Sequence, residues 1–243
     1  WNVNWRNHSN FDWLYTLAEL RKYGLNGVFF GVELNAKLKN GSHYLLVLDH
    51  EYRPEMDFAR LRNEIYDTFV AFGMSEEESE NITQELVHFD EVILNITRQN
   101  AVTRGLNTST EHLFLEITME ELWKQSPSMN WKRYFEIISE NIASSNDIVQ
   151  IYGLKPSYFE NLYQTLKETS NTTLAYYIMT KYLYQLLPIM PMNQTTETRS
   201  QICLTHIRGQ MSLALNYLYE KHLFHFKRFK TEQILNEIFE ELK

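Results

Sequence analysis

Cysteine is all but missing: one residue, Cys203, in a chain of 243. A single thiol can close no intramolecular disulfide and cannot by itself make a thiolate zinc site. Glycine and proline are scarce as well, at 8 and 5, too few for a sandwich or barrel dense in tight turns. No apolar run approaches the roughly 18 residues that a membrane-spanning helix needs. Basic side chains are outnumbered, 23 Lys and Arg against 31 Asp and Glu, for a net charge of −8. So acidic a chain is a poor candidate for gripping a phosphate backbone, and nucleic acid is not an expected partner. The chain starts at Trp1 with no charged-then-apolar leader, and reads as a piece of a longer protein or a processed product. The zinc-protease motif His-Glu-x-x-His, the phosphate loop, the dinucleotide glycine fingerprint and the Gly-x-Ser-x-Gly elbow do not occur.

What is present is a globular composition. Apolar residues make up 44%, and the 14% aromatic share excludes a disordered chain. Asn-x-Ser/Thr occurs at Asn7, Asn40, Asn81, Asn95, Asn107, Asn171 and Asn193, seven times, where composition alone predicts roughly two or three. That excess favours an extracellular glycoprotein, secreted or the ectodomain of an anchored one, over a coincidence in a cytosolic chain.

Most of the chain repeats at helical period. Phe11, Leu14, Leu17 and Ala18 share a face behind a cap at Asn10, and the segment ends at Tyr23-Gly24. Phe58, Leu61, Ile65, Phe69 and Phe72 form a second stripe closed by Gly73. Ser75 with Glu78 and Thr118 with Glu121 have the spacing of capping boxes, and Asn130 can cap the helix of Trp131, Tyr134 and Phe135. Asn81 and Asn95 fall on one flank of the helix that Ser75 opens. Pro156 suits the start of a helix with Tyr158 and Leu162, and Leu174 to Leu186 forms another, stopped by Pro188. A long helix with Cys203, Ile207, Met211, Ala214 and Leu218 follows, and Thr231 can cap a last one. Period two appears strongly once, in residues 28–33 and 44–48, and predicts a long-looped hairpin over about 28–49. The expected fold is mainly α, a single helical domain over 1–243 with one β-hairpin near its start.

Unaided, the side chains point to little chemistry. His222 and His225 could share a helix turn, but they lack a third ligand and alternate with Leu223, Phe224 and Phe226, so an aromatic helix end is the simpler reading. The acidic run Glu76 to Glu80 suits the first turn of a helix better than a cation site. Tyr176, Tyr177, Tyr182 and Tyr184 resemble a sugar or peptide platform, and helix packing accounts for them more simply. Cys203, on a stripe with Ile207 and Met211, reads as a small buried hydrophobe.

A longer pattern carries more. The run from Leu115 to Leu122, followed by Met129-Asn130-Trp131-Lys132-Arg133-Tyr134-Phe135, resembles the neprilysin / endothelin-converting-enzyme family of zinc metallopeptidases, with its "Met-Thr-x-x-Glu-Leu … Asp/Asn-Trp-x-x-Tyr/Phe" step. Further pieces follow in the family's order: Val149-Gln150-Ile151 before Tyr158-Phe159; Thr173-Leu174-Ala175-Tyr176-Tyr177; Arg199 with Cys203; then Met211, Ala214 and Leu218-Tyr219. Upstream, Tyr23-Gly24-Leu25 and Lys39-Asn40-Gly41-Ser42 match its glycine-then-hairpin region. The sequence departs where the family has Leu-Pro-x-Arg-Asp-Tyr-Tyr after the hairpin; Tyr52-Arg53-Pro54 is the one remnant.

The resemblance covers the family's helical, non-catalytic region. It implies that the zinc ligands and the glutamate base belong to a catalytic domain outside this sequence, so no catalytic or metal residue transfers to any position here. It also implies a partner for Cys203, a cysteine of that catalytic lobe in an interdomain disulfide. The role implied is that of a lobe enclosing small peptides beside the catalytic lobe and excluding folded proteins. Two alternatives stay open: a peptidase-dead secreted relative that binds peptides or competes with active homologues, and an unrelated helical interaction domain.

Overall fold

The computed structural model describes residues 11–37, 40–49, 58–102, 113–186 and 196–222, with 233–234 and 237–240. Helix α1, Trp13–Arg21, buries Trp13, Leu14, Leu17 and Ala18. Its cap is Asp12, whose carboxylate accepts from the Tyr15 N–H at 3.0 Å; Asn10, the expected cap, lies outside the described residues. Gly24 at φ 92° lets the chain leave the helix, with the Leu25 N–H reaching back to the Leu20 carbonyl at 3.1 Å.

The hairpin is longer in its strands and shorter in its connection than expected. Strand β1, Gly31–Lys37, pairs antiparallel with β2, Asn40–Asp49, from Gly31 opposite Asp49 to Ala36 opposite Tyr44, with a register shift between Ala36 and Lys37. The polar stretch taken for a loop is strand by its pairing with β2, and a strand exposed at Glu33, Leu34 and Asn35 needs no apolar alternation there. Two strands without a strong local signal complete the sheet: β3, Phe114–Thr118, and β4, Ile148–Tyr152, in the order β1-β2-β4-β3. Strand β4 runs parallel to β2 and antiparallel to β3. Each spans five residues, too short for a two-residue period to stand out.

Helices α2 (Phe58–Ala71) and α3 (Glu76–Asn100) follow the predicted stripes, burying Leu61, Ile65 and Phe69, then Leu86, Phe89 and Ile93. Ser75 accepts from the Glu78 N–H at the start of α3, and Thr118 with Glu121 closes a full capping box on α4, Met119–Gln125. In α5 (Trp131–Ile138) and α6 (Ser157–Glu168) the apolar faces meet Phe30. Its ring lies 5.4 Å from Trp131, and Trp131 lies 5.1 Å from Phe159 edge to face. Burying each such ring contributes about 1.5–3 kcal/mol. The Tyr158 hydroxyl donates to the Phe29 carbonyl at 2.6 Å, across 129 residues of chain. On α7, Asn171–Leu186, Tyr176 and Tyr177 are buried and Tyr177 stacks on Phe29. These tyrosines are core, not a platform.

The chain divides into two compact units, residues 1–183 and 184–243. The second carries α8 (Thr196–Gln210) and α9 (Ser212–His222). The single long helix expected there is interrupted only at Met211, and helical hydrogen bonds run across the break, Met211 N–H to Ile207 and Leu215 N–H to Met211. No helix among the described residues is long and apolar enough to cross a membrane. The mainly α fold expected from the sequence is thus observed, with a small sheet larger than the hairpin alone.

Candidate functional site

A groove of about 760 Å³ in the first unit, within the size range of small-ligand and peptide side-chain sites, is lined by residues of β1, β2 and the start of β4 and by the turn after α5. Its construction begins at the end of α5. Glu140 and Asn141 both take left-handed backbone, at φ 52° and 65°, which costs a non-glycine residue about 1–3 kcal/mol. The Asn141 N–H caps the helix by bonding the Glu136 carbonyl at 2.8 Å. This turn throws Ile142 outward, 84% exposed. The loop beyond is pinned by Ser139 Oγ accepting from the Ala143 N–H at 3.1 Å and by Asp147 accepting from the Ser144 N–H at 2.7 Å. Ile142 therefore projects from a built support.

Opposite stands β1. The Val32 N–H donates to Asn26 Oδ1 at 2.9 Å, and the Val32 carbonyl accepts from Arg21 Nη2 at 2.9 Å and from Asn26 Nδ2 at 3.3 Å. These side chains fasten the last turn of α1 to the strand. Leu34, Leu45, Ile138, Ile142 and Ile148 make the apolar lining, while Arg21, Glu33, Glu140 and Asp147 supply the charge. On α5, burial pushes the Tyr134 phenol well above its ordinary value, with the nearby Arg21 charge partly offsetting the effect. The groove can bind; it contains no nucleophile with an adjacent base.

The residues singled out in the sequence do not converge on this groove. Asn81 and Asn95 are exposed on α3, and Asn171 is exposed at the first residue of α7. Asn40 opens β2. Asn7, Asn107 and Asn193 lie outside the described residues, as does His225. Asn81 and Thr172 line one shallow hollow, so two of the sequons are neighbours in space. Cys203 is exposed on α8 rather than buried as its stripe suggests. His222 is exposed at the end of α9. Among the described residues no group of three His, Cys, Asp or Glu side chains could hold a metal ion. The groove residues Arg21, Leu34 and Ile142 escaped sequence reasoning. Their one signal is Ile142, a lone aliphatic in the polar stretch Glu140 to Asp147, and a single residue has no period.

Comparison with known proteins follows the same line. The N-terminal model of Peptidase family M13 matches residues 1–243. Among solved structures, the chain is similar to the crystal structure of Mycobacterium tuberculosis zinc metalloprotease Zmp1 in complex with inhibitor. The TM-score is 0.60 at 12% identity, over 92% of this chain and 38% of that one. A cryo-EM structure of the same metalloprotease in an open state aligns with a TM-score of 0.57 at 13% identity, over 89% of this chain and 37% of the other. Among curated proteins none matches significantly. The chain thus spans little more than a third of the metalloprotease it resembles.

Proposed function

The chain belongs to peptidase family M13, as part of that family's N-terminal region, and from this we propose that it is the substrate-enclosing, non-catalytic lobe of a neprilysin-like zinc metalloendopeptidase acting on small peptides. In this reading both compact units belong to that lobe, since one family model spans them. The carrying observation is the whole-chain family match in a chain whose described residues contain no three-ligand metal cluster. Zinc, the cofactor the family implies, does not fit the residues described here, so no step of the chemistry runs through them. This lobe supplies walls, size exclusion and contacts to peptide; hydrolysis belongs to the catalytic lobe of the same protein, its partner.

The sequons support an extracellular setting, secreted or as an anchored ectodomain, with glycans at Asn7, Asn40, Asn81, Asn95, Asn107, Asn171 and Asn193. Three of these, Asn81, Asn95 and Asn171, have exposed side chains on helices. Cys203, exposed on α8, is available for the interdomain disulfide that the family resemblance implies. A second reading, a peptidase-dead relative that binds peptides or competes with active homologues, draws on the missing Leu-Pro-x-Arg-Asp-Tyr-Tyr segment. The deciding experiment expresses the complete parent protein through a secretory pathway and assays short peptides and a folded protein of the same cleavage sequence. The enclosing-lobe reading expects zinc-dependent cleavage of the short peptides alone. Equal cleavage of the folded protein overturns size exclusion, and no cleavage of either moves the conclusion to the peptidase-dead relative.

A further inference from the structure

Among the described residues, strand β1 lies at the outside of the sheet and pairs with β2 alone. In an antiparallel ladder the backbone groups of successive residues point alternately toward the neighbour and away from it. The Val32 N–H and carbonyl are engaged by Asn26 and Arg21, so Val32 faces away from β2, and Leu34, two residues on, faces away with it. At Val32 the edge is plugged. At Leu34 it is open: among the described residues nothing bonds its outward N–H and carbonyl. The Leu34 side chain is 64% exposed and Ile142 is 84% exposed, and both line the groove, which takes in β1 together with Leu45 and Leu46 of β2 and Ile148 of β4. A free strand edge and an apolar groove beside it are the two halves of a β-addition site, in which main-chain hydrogen bonds give affinity and a pocket selects the side chain.

Resting on the peptide-enclosing reading above, we infer that β1 is a peptide-docking edge. An extended, cationic peptide pairs with Leu34 and seats one apolar side chain between Leu34 and Ile142. Charge selects the class of peptide. Glu33, Glu140 and Asp147 face the groove against a single guanidinium, Arg21, which is already donating to Val32. The edge also argues against a second copy of this chain as the occupant. It is open only between the plug at Val32 and the register shift at Ala36/Lys37, too short for strand-to-strand association. Two chains of net charge −8 would also repel. A peptide that adds a side chain to the groove makes up for so short an edge.

The test uses the 243-residue chain and a fluorescent, end-blocked peptide alternating leucine and lysine, followed by anisotropy. Leu34→Pro removes the outward N–H while leaving the ladder to β2 intact, and is expected to weaken binding about tenfold. Ile142→Glu, at a side chain too exposed to disturb folding, is expected to weaken an apolar contact comparably, as is N-methylation of the peptide at the paired residue. A peptide alternating leucine and glutamate is expected to bind more weakly than the lysine peptide. If Leu34→Pro unfolds the chain, Ile142→Glu and the methylated peptide carry the test. Undiminished binding to a folded variant, or no binding by the parent chain, overturns the docking edge. Either failure leaves the enclosing lobe standing, because walls exclude by size without binding. Absence of cleavage by the complete parent, with edge binding retained, overturns the enzyme reading and keeps the edge.

Discussion

Helix α5 and the run through α8 and α9 both carry apolar side chains, yet in one they are core and in the other they are surface. In α5, Trp131, Tyr134 and Phe135 are buried, covered by Phe30 from the sheet side and Phe159 from α6. In α8 and α9, Leu204, Ile207, Met211, Tyr217, Leu218 and Tyr219 are all exposed. The first unit draws its cover from far along the chain, as the bond from Tyr158 to Phe29 shows. The second unit is small, and small units bury a smaller fraction of their surface. An apolar stripe reports which side of a helix avoids water. It does not report whether a partner is at hand.

The largest effect that would break this contrast is in the core. Trp131→Ala removes a ring packed on four aromatic neighbours, Phe30, Tyr134, Phe135 and Phe159, and takes from Ser126 Oγ the indole N–H it accepts at 2.6 Å, leaving only its bond to the Leu122 carbonyl. The expected loss is about 4 kcal/mol, against less than about 0.5 kcal/mol for Leu218→Ala on α9. Urea unfolding of both variants measures the pair, and similar losses would mean that the α9 stripe is covered after all.

A second test sets a buried ion pair against the exposed ones. Asp90, 1% exposed on α3, lies 3.5 Å from Lys181 and accepts from the Tyr177 hydroxyl. Asp90→Ala removes the buried carboxylate that faces both Lys181 and the Tyr177 hydroxyl and is expected to cost about 3 kcal/mol, whereas Asp90→Leu combined with Lys181→Met recovers most of it. Glu120→Ala, which breaks the exposed pair with Lys124, should leave stability almost unchanged. A double variant no more stable than Asp90→Ala would show that the pair is not the source of the cost.

The smallest effect is a pH dependence. The Ser128 hydroxyl, then Gln164 and the Ser128 N–H, hold the Glu160 carboxyl below the usual carboxylate value. A carboxylate whose folded value is depressed adds stability that is complete above its unfolded value and is lost as pH falls through the folded one. Glu160→Gln should therefore flatten the acid side of the stability profile and lower the level above it, without changing the slope on the alkaline side. Parallel profiles for the two proteins would remove Glu160 from the linkage.

Much of this fold was legible before any coordinates. The stripes on α2, α3 and α6 predict the faces that are buried, and the capping signals at Ser75, Thr118 and Asn130 fall where helices begin. Caps act within three or four residues, so local sequence contains all they need. The polar half of the hairpin misled, because a polar strand and a loop share a composition. Strand β3 was illegible for a related reason, and β4 showed only through the family resemblance at Val149-Gln150-Ile151: five residues carry little period, and their place is set by pairing with β2 and with each other.

The sequence by itself determined the helical class, the acidic and cysteine-poor chemistry, the positions of the sequons and the family to which the order of its motifs belongs. These are properties of local spacing and of ordered residues along one line. Only the tertiary structure decided that Arg21 and Asn26 plug the strand edge at Val32 and that Leu34 is left open beside Ile142. That site joins the end of one helix, an outer strand and the left-handed turn of another helix more than a hundred residues later. Contacts between segments so far apart follow from how the layers pack, and no window of sequence contains both sides of them.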